Sequence, residues 1–267
     1  SSPLELASEF SRAIDKQAYQ KKDFFEHLEL YRNFELHSHL ADTTLESSLA
    51  KSNEALANLR QGLEHSNHLI LTLGSAWSYR HKPSGEEVSH NHRLGKDLFE
   101  KRLLEADQCI AALSSCIDSL KTLNPDLRCC LTVSPVRHLR DGLHENNLSK
   151  STLLLTANQL AQDHPCVDYF PAYEVLIDEL RDYRFCGPDL SHPSQQACDY
   201  IWNKLKKAAF TPQALALIEE TESLREELDH VPAHPQTKAN LARLHRLKMK
   251  TQKLEERGLD VSKLEVK

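Results

Sequence analysis

Three short apolar runs constrain the fold more than any other feature of the sequence. They cover residues 68–73, 129–134 and 167–170, and they are closed by Gly74, Pro135 and Pro171. Runs this brief, rich in branched side chains and bounded by Gly or Pro, are typical of buried strands. Longer stretches with helical spacing lie between them. The order strand, helix, strand, helix, strand indicates a parallel sheet covered by helices on both faces.

The predicted helices have the apolar spacing of amphipathic helices. They span about residues 43–62, 99–120, 148–162 and most of the chain from residue 211. The first begins at a capping box formed by Thr43 and Glu46. The second repeats its apolar residues at intervals of four and three from Phe99 onward, and Asn124 before a proline ends it. Only seven glycines among 267 residues agree with long helices and few turns.

We expect two parts in this chain. Residues 1–210 form the α/β domain, whose first 65 residues are helical, and residues 211–267 form a helical extension. The numbers of basic and acidic side chains, 33 and 39, give a net charge of -6, which disfavours a nucleic-acid partner. No window resembles a membrane-spanning helix or a signal peptide, so we also expect no membrane partner.

The cysteines indicate the redox environment. There are seven, and Cys129 and Cys130 are adjacent, a pairing that disulfide geometry disfavours. Reduced thiols in a cytoplasmic protein are therefore the prediction.

No zinc-type Cys-x-x-Cys occurs, and the spacing of His90, His92 and His138 does not call for a metal. The sequence predicts neither a metal nor a cofactor.

Parallel sheets bind ligands at the carboxyl ends of their strands, and this rule selects three polar loops. They are residues 74–91, 134–147 and 171–194, and each carries histidine. In the third loop Asp189 precedes His192 by three residues. Such an Asp can orient the imidazole and stabilise the imidazolium that forms when the His acts as a base. The alternative is that His192 belongs to a simple helix entrance, with Ser194 as the N-cap.

Ser75 follows the first strand on a Gly-Ser turn, where a nucleophile could be presented. The turn lacks the second Gly of Gly-x-Ser-x-Gly, so a structural or substrate-binding role is the alternative.

Arg137 and His138 follow the second strand. Arginine forks bind carboxylate or phosphate, so Arg137, together with Arg181 and Arg184 ahead of the Asp-His pair, could hold an anionic substrate group. Equally, Arg137 could join the charged residues Asp141, Asp182 and Arg184 in ion pairs that order two loops.

Several motifs resemble the GSCFA family, a group related to the SGNH, or GDSL-like, hydrolases. They are residues 71–77 with Tyr79, then 132–138, 141–142, 145–146, 149–150, 169–174, 178–184 and 189–194. The resemblance implies a flavodoxin-like α/β sheet and a Ser-His-Asp mechanism. Asp189 and His192 fall on the family's terminal Asp-x-x-His block, which implies that they are catalytic.

The departures from the family pattern concern the nucleophile and the oxyanion donors. The motif Gly-Ser-Cys-Phe-Ala, which supplies the nucleophile after the first strand, does not occur in these 267 residues. Family order puts it before Ser1, so we expect the first strand to be missing, an open edge beside the strand ending at Gly74, and no activity from this chain alone. Ala76 stands where many SGNH enzymes have the oxyanion Asn. Residues 90–92 resemble the family's Asn-Cys-His with the order disturbed.

The resemblance implies an SGNH-like esterase or acyltransferase that acts on a small ester, such as an acylated carbohydrate. The residues expected to bind substrate or the oxyanion are Gly74, Ser75, Asn91, His92, Arg137 and His138. The alternative is a non-catalytic module that binds a ligand in the same cleft. Two geometric predictions follow: Asp189 contacts His192 at the carboxyl edge of the sheet, and Arg137 or His138 shares a cleft with His192.

Overall fold

Helices and strands alternate along most of the chain in the computed structural model, which describes residues 2–230, 236–262 and 264. The helices are Pro3–Ile14 (α1), Leu45–His65 (α2), Ala106–Leu123 (α3), Leu143–Asp163 (α4), Ala172–Glu174 (α5), Gln195–Ala209 (α6), Pro212–Asp229 (α7) and Lys238–Glu256 (α8). The strands are Phe25–His27 (β1), Leu30–Arg32 (β2), His68–Leu73 (β3), Trp77–His81 (β4), Glu87–Val88 (β5), Phe99–Leu103 (β6), Arg128–Val133 (β7) and Val167–Tyr169 (β8). The chain divides into two compact units, Ser1–Ile201 and Trp202–Lys267.

A parallel sheet of order β3-β7-β8 forms the centre of the first unit. Its strands pair in the register Leu71 with Leu131 and Leu73 with Val133. Because side chains alternate between the two faces of a strand, these four residues share one face. That face forms a buried core with α3 and α4, which contribute Leu113, Ile117, Leu153, Ala157 and Leu160. The three predicted strands and the α/β class with a flavodoxin-like parallel sheet are therefore confirmed.

Strand β3 lies at the edge of this sheet, with β7 as its neighbour. The expected open edge beside the strand ending at Gly74 is present in the described residues. Alternate side chains of β3, those of His68, Ile70 and Thr72, are exposed, and Ile70 retains 51% of its accessible surface. The prediction that helices cover both faces is therefore not met at β3.

An antiparallel sheet of order β5-β4-β6 was not predicted. The helix predicted from Phe99 is wrong in its first part, because residues 99–103 pair with Trp77–His81 as strand β6. Helix α3 begins only at Ala106, where the Gln108 side chain accepts a hydrogen bond from the Glu105 backbone N–H at 3.1 Å. An acceptor three residues into the helix satisfies an otherwise unpaired amide, which defines this start.

The first 65 residues, expected to be helical, contain α1 and α2 with a hairpin between them. Strands β1 and β2 are joined by Leu28 and Glu29, both with positive φ, 50° and 59°. A two-residue hairpin turn of this kind favours Asn and Gly, so this sequence lacks the usual signal. Helix α2 is capped by Thr44, whose hydroxyl accepts from the Ser47 N–H at 3.3 Å, one residue later than predicted.

The second unit has a core of its own, as its amphipathic helices require. Leucines of α7 and α8 form it: Leu224, Leu228, Leu247 and Leu254. The hydroxyl of Thr211 accepts from the Ala214 N–H and caps α7, which agrees with the helical region predicted from residue 211. Among the described residues, no helix combines the length and the apolar content that crossing a bilayer requires.

Candidate functional site

Asp189 and His192 are in direct contact, as predicted. The distance between His192 Nδ1 and Asp189 Oδ2 is 2.5 Å, and Asp189 Oδ1 accepts from the backbone N–H groups of His192 and Ser191 at 3.0 Å each. These bonds favour the ionised carboxylate and hold the pKa of Asp189 well below its usual range, with the backbone bond from His192 as the largest cause. The carboxylate thereby orients the ring and the loop that carries it.

The Asp189 and His192 loop is attached to the carboxyl end of β7. The Arg137 N–H donates to the Ser191 carbonyl at 3.2 Å, and the Ser191 hydroxyl donates to the Arg137 carbonyl at 2.5 Å. Ser194 caps α6 by accepting from the Ala197 N–H at 3.3 Å, so the helix-entrance interpretation also holds. The His192 side chain is 65% exposed, and because Nδ1 is engaged by Asp189, Nε2 is the ring nitrogen that remains for a reaction partner.

Ser75 lies on the turn after β3 but is engaged elsewhere. Its hydroxyl accepts from the Trp77 N–H at 3.1 Å and is 3.4 Å from the Ser149 hydroxyl. The Ser149 hydroxyl in turn accepts from the Ala76 N–H at 2.8 Å, inside the protein. In the described part of the chain Ser75 makes no hydrogen bond with His192, so these contacts favour the structural role for Ser75.

Lys150 is the residue of this region whose role the sequence analysis missed. It is 1% exposed, and its Nζ donates to the Gly74 carbonyl at 2.7 Å and to the Ser134 carbonyl at 2.8 Å. No carboxylate pairs with it among the described residues. Burial lowers its pKa to about 8, because desolvation disfavours the ammonium form. Lys150 thus joins the carboxyl ends of β3 and β7 through a single side chain.

The first turns of α4 present a set of polar side chains to these loops. Gly142, with φ 98°, precedes the helix, and a Cβ there would lie 2.4 Å from Glu145 Oε2. Asn146 accepts from the His138 N–H at 2.9 Å, while Ser149 and Lys150 hold the turn after β3. Asn146, Ser149 and Lys150 lie on the same helical face as the core leucines Leu153 and Leu160. Helical periodicity is therefore the signal that could have identified the three polar residues as inward-facing.

Comparison with known protein families gives a match that spans the residues described above. A model of the GSCFA family matches residues 2–205, which is well over half of the chain. The chain belongs to the GSCFA family. The match includes the Asp189 and His192 loop and the polar turns of α4. Comparisons of this GSCFA chain with curated proteins and with solved structures found no match.

Arg137 of the GSCFA chain lines a cleft of about 210 Å³ beside the His192 loop. Arg181 and Cys186 also line it, whereas His192 does not, so a cleft shared with His192 stays a prediction. Arg137, Asp141, Asp182 and Arg184 do not form the predicted set of ion pairs, except for the contact between Asp182 and Arg184. Asp141 pairs with Lys101, Asp182 lies 3.9 Å from its neighbour Arg184, and Arg137 has no ion pair among the described residues.

His92 of the GSCFA chain lies against the loop after β2, and the Asn91 side chain accepts from the Arg93 backbone N–H at 3.2 Å. His92 is buried, and its Nε2 is 2.6 Å from the Asn33 carbonyl. Its ring packs near those of His90 and Phe25, and burial lowers the pKa of His90 to about 4. None of the described contacts joins Asn91 or His92 to Gly74 or His192, and no group of three potential ligands in the described residues could hold a metal.

The GSCFA chain also contains a second Ser-His-Asp grouping. Ser114 Oγ is 2.7 Å from His164 Nε2, and Asp118 Oδ1 is 3.6 Å from His164 Nδ1, beyond hydrogen-bond reach. Ser114 sits in the middle of α3, and His164 follows α4 at the amino end of the parallel sheet. The grouping therefore fastens α3 to the end of α4, at the opposite end of the sheet from Asp189.

Proposed function

We propose that this GSCFA protein is an SGNH-like esterase or acyltransferase that acts on a small ester, such as an acylated carbohydrate. In this proposal His192 is the general base, and Asp189 orients it and stabilises its imidazolium form. The observation that carries the proposal is the 2.5 Å contact between His192 Nδ1 and Asp189 Oδ2, on a loop attached to the carboxyl end of β7. That end of a parallel sheet is where ligands bind.

The proposed reaction follows the acyl-enzyme route. A serine hydroxyl attacks the ester carbonyl while His192 Nε2 takes its proton, and backbone N–H groups hold the oxyanion. His192 then returns the proton to the departing alcohol, which leaves an acyl-serine. Water or a second alcohol attacks this intermediate, so hydrolysis and acyl transfer differ only in the acceptor.

The serine of this route is expected in the Gly-Ser-Cys-Phe-Ala motif, which the family resemblance puts ahead of Ser1. Two observations support this choice over Ser75. The Ser75 hydroxyl is engaged with Trp77 and Ser149. The outer edge of β3 pairs with no strand in the described part of the chain, so its backbone groups could pair with a further strand.

The test compares hydrolysis of p-nitrophenyl acetate by this chain and by a version extended upstream to include the motif. We expect turnover only in the extended protein, with loss on substituting the motif serine by Ala and on His192→Ala. Asp189→Asn should lower kcat by about 10²- to 10⁴-fold, as expected for a His left without its orienting carboxylate. Ser75→Ala is the matched control and should retain activity. Turnover by the 267-residue chain that is lost on Ser75→Ala would make Ser75 the nucleophile.

The second candidate function is a non-catalytic module that binds a ligand on the same fold. It is favoured by the exposure of the dyad, whose His192 and Asp189 side chains are 65% and 53% exposed rather than enclosed in a dry site. An extended protein that binds esters without turnover would support this candidate and contradict the esterase.

A further inference from the structure

Two arginine side chains that line the cleft beside the His192 loop have no partner among the described residues. Neither Arg137 nor Arg181 forms an ion pair or a side-chain hydrogen bond there, although both line the same cleft of about 210 Å³. Several other arginines of the first unit form ion pairs, for example Arg12 with Glu35 and Arg128 with Asp168. Arg137 is half-buried and Arg181 is exposed. Guanidinium groups bind carboxylate and phosphate through two parallel hydrogen bonds, so two arginines without partners at one cleft indicate a place for an anion.

Among the described residues that line the cleft, Asp182 is the only acidic one, and its side chain contacts Arg184. Its Oδ1 accepts from the Arg184 backbone N–H at 2.9 Å, and its Oδ2 is 3.9 Å from Arg184 Nε. Asp182 therefore does not neutralise the two arginines of the cleft. The remaining lining includes Leu176 and Ile177, so one wall is apolar.

The backbone that presents Arg181 is strained. The π-helical turn Val175–Leu180 ends at Arg181, whose φ of 43° lies in the left-handed region that non-glycine residues rarely adopt. Single π turns and residues held in this region concentrate at functional sites, where surrounding structure maintains them. In this protein the turn brings Arg181 and Leu176 to the same cleft as Arg137, which follows β7.

We propose that this cleft binds an oxyanion group of the substrate, a carboxylate or a phosphate, between Arg137 and Arg181. The inference rests on the proposed function only in calling the bound molecule a substrate. The backbone of Arg137 is hydrogen-bonded to Ser191, next to His192, so the cleft adjoins the loop that carries the proposed general base. The substrate is then an ester with an anionic substituent on a short apolar spacer that packs against Leu176 and Ile177.

The first test measures binding without turnover, by NMR titration of the arginine side-chain N–H signals with inorganic phosphate and with glutarate at constant ionic strength. We expect either or both anions to shift the signals of Arg137 and Arg181. Arg137→Gln and Arg181→Gln should each weaken binding about ten-fold or more, the effect of losing one charge-assisted contact. The matched control is Arg140→Gln, an exposed arginine close in sequence that does not line the cleft.

Two outcomes would overturn the proposal. One is the absence of shifts at Arg137 and Arg181 with both anions, and the other is an equal loss of affinity in Arg140→Gln, which would mean general charge attraction. Which anion binds more tightly decides between carboxylate and phosphate.

The second test uses the extended protein and compares p-nitrophenyl butyrate with the hemiglutarate ester, which adds a carboxylate. We expect a kcat/KM at least about ten-fold higher for the hemiglutarate, and loss of this preference in Arg137→Gln and Arg181→Gln. Equal rates for both esters would overturn the anion cleft and leave the esterase standing. Binding of glutarate without any turnover would leave the cleft standing and overturn the esterase.

Discussion

Lys150 has the environment least expected for its residue type. A buried ammonium is costly unless it is paired, and here it is held by two carbonyl groups at the ends of β3 and β7. Its folded-state pKa is lowered to about 8, while an unfolded lysine titrates near 10.4. Between these values the unfolded chain binds more protons than the folded protein. The free energy of unfolding therefore includes a penalty from Lys150 that is fully present below pH 8 and is relieved as the pH rises.

This penalty predicts how the stability of Lys150→Met differs from that of the wild type. The variant has no titrating group at this position. The free energy of unfolding of the wild type minus that of the variant should therefore grow by up to about 3 kcal/mol as the pH rises from about 8 to about 10.4. Urea unfolding at pH 7, 8.5 and 10 measures it. The tyrosines and cysteines with raised pKa values are common to both proteins and cancel in the difference. A difference that does not change with pH would contradict the prediction.

Ser149 allows a second residue-scale prediction. Its hydroxyl is the acceptor for the buried Ala76 N–H, so Ser149→Ala leaves a buried amide unpaired and should cost about 1 to 3 kcal/mol of stability. The control is Ser119→Ala on α3, where an exposed hydroxyl donates to the Ser115 carbonyl. That change should stay within about 0.5 kcal/mol in urea unfolding. Equal effects of the two substitutions would show that the bond to Ala76 does not contribute.

At the scale of elements, α4 joins the core to the candidate site. Its polar side chains Asn146, Ser149 and Lys150 hold the loops at the carboxyl end of the sheet, and Leu153, Ala157 and Leu160 continue the same face into the core. One amphipathic face therefore both supports the sheet and positions the turn after β3.

Shortening single leucines of α4 to alanine should distinguish its buried face from its exposed face. Leu153→Ala removes a fully buried side chain from the core shared with α3 and should destabilise the protein by about 2 to 5 kcal/mol, since a cavity forms. Leu155, two residues further along, lies on the outer face and is 62% exposed. Leu155→Ala should lower the free energy of unfolding by less than about 0.5 kcal/mol. Thermal and urea unfolding report both, and a comparable loss in the two variants would refute the assignment of faces.

At the scale of the whole molecule, the seven cysteines are all free thiols with very different access to solvent. Cys198 is exposed, whereas Cys109, Cys116 and Cys129 are buried. Burial raises the pKa of the Cys109 thiol to about 11 and those of Cys116 and Cys129 to about 12. Thiolates are the reactive form, so these three should be inert in the folded protein.

Thiol labelling should therefore proceed in phases. We expect Cys198 to react rapidly with a disulfide reagent in the native protein, and Cys198→Ser to remove that phase. The three buried thiols should react only at the rate of unfolding, and mass spectrometry of labelled peptides identifies them. Labelling of Cys129 as fast as Cys198 would contradict the burial of β7.

The sequence by itself determined the parts of this protein that depend on local pattern. The apolar runs predicted β3, β7 and β8, and the periodicity of residues 148–162 predicted most of α4, whose first turn begins earlier, at Leu143. The contact between Asp189 and His192 was also predictable, because an Asp three residues before a His on a tight loop is within reach whatever the rest of the chain does. The family resemblance was visible for the same reason, since its motifs are short stretches of sequence.

Only the tertiary structure decided the features whose partners lie far along the chain. Residues 99–103 have a spacing that also suits a helix, and pairing with Trp77–His81 makes them a strand. Lys150 resembles a solvated helix residue until the ends of two strands, more than a dozen residues away, supply its acceptors. The contact between Ser75 and Ser149 also depends on residues far apart in the sequence, and so does the cleft that Arg137 and Arg181 both line. Spacing along the chain specifies which face a side chain takes, whereas the groups that meet it there are set by how the elements pack.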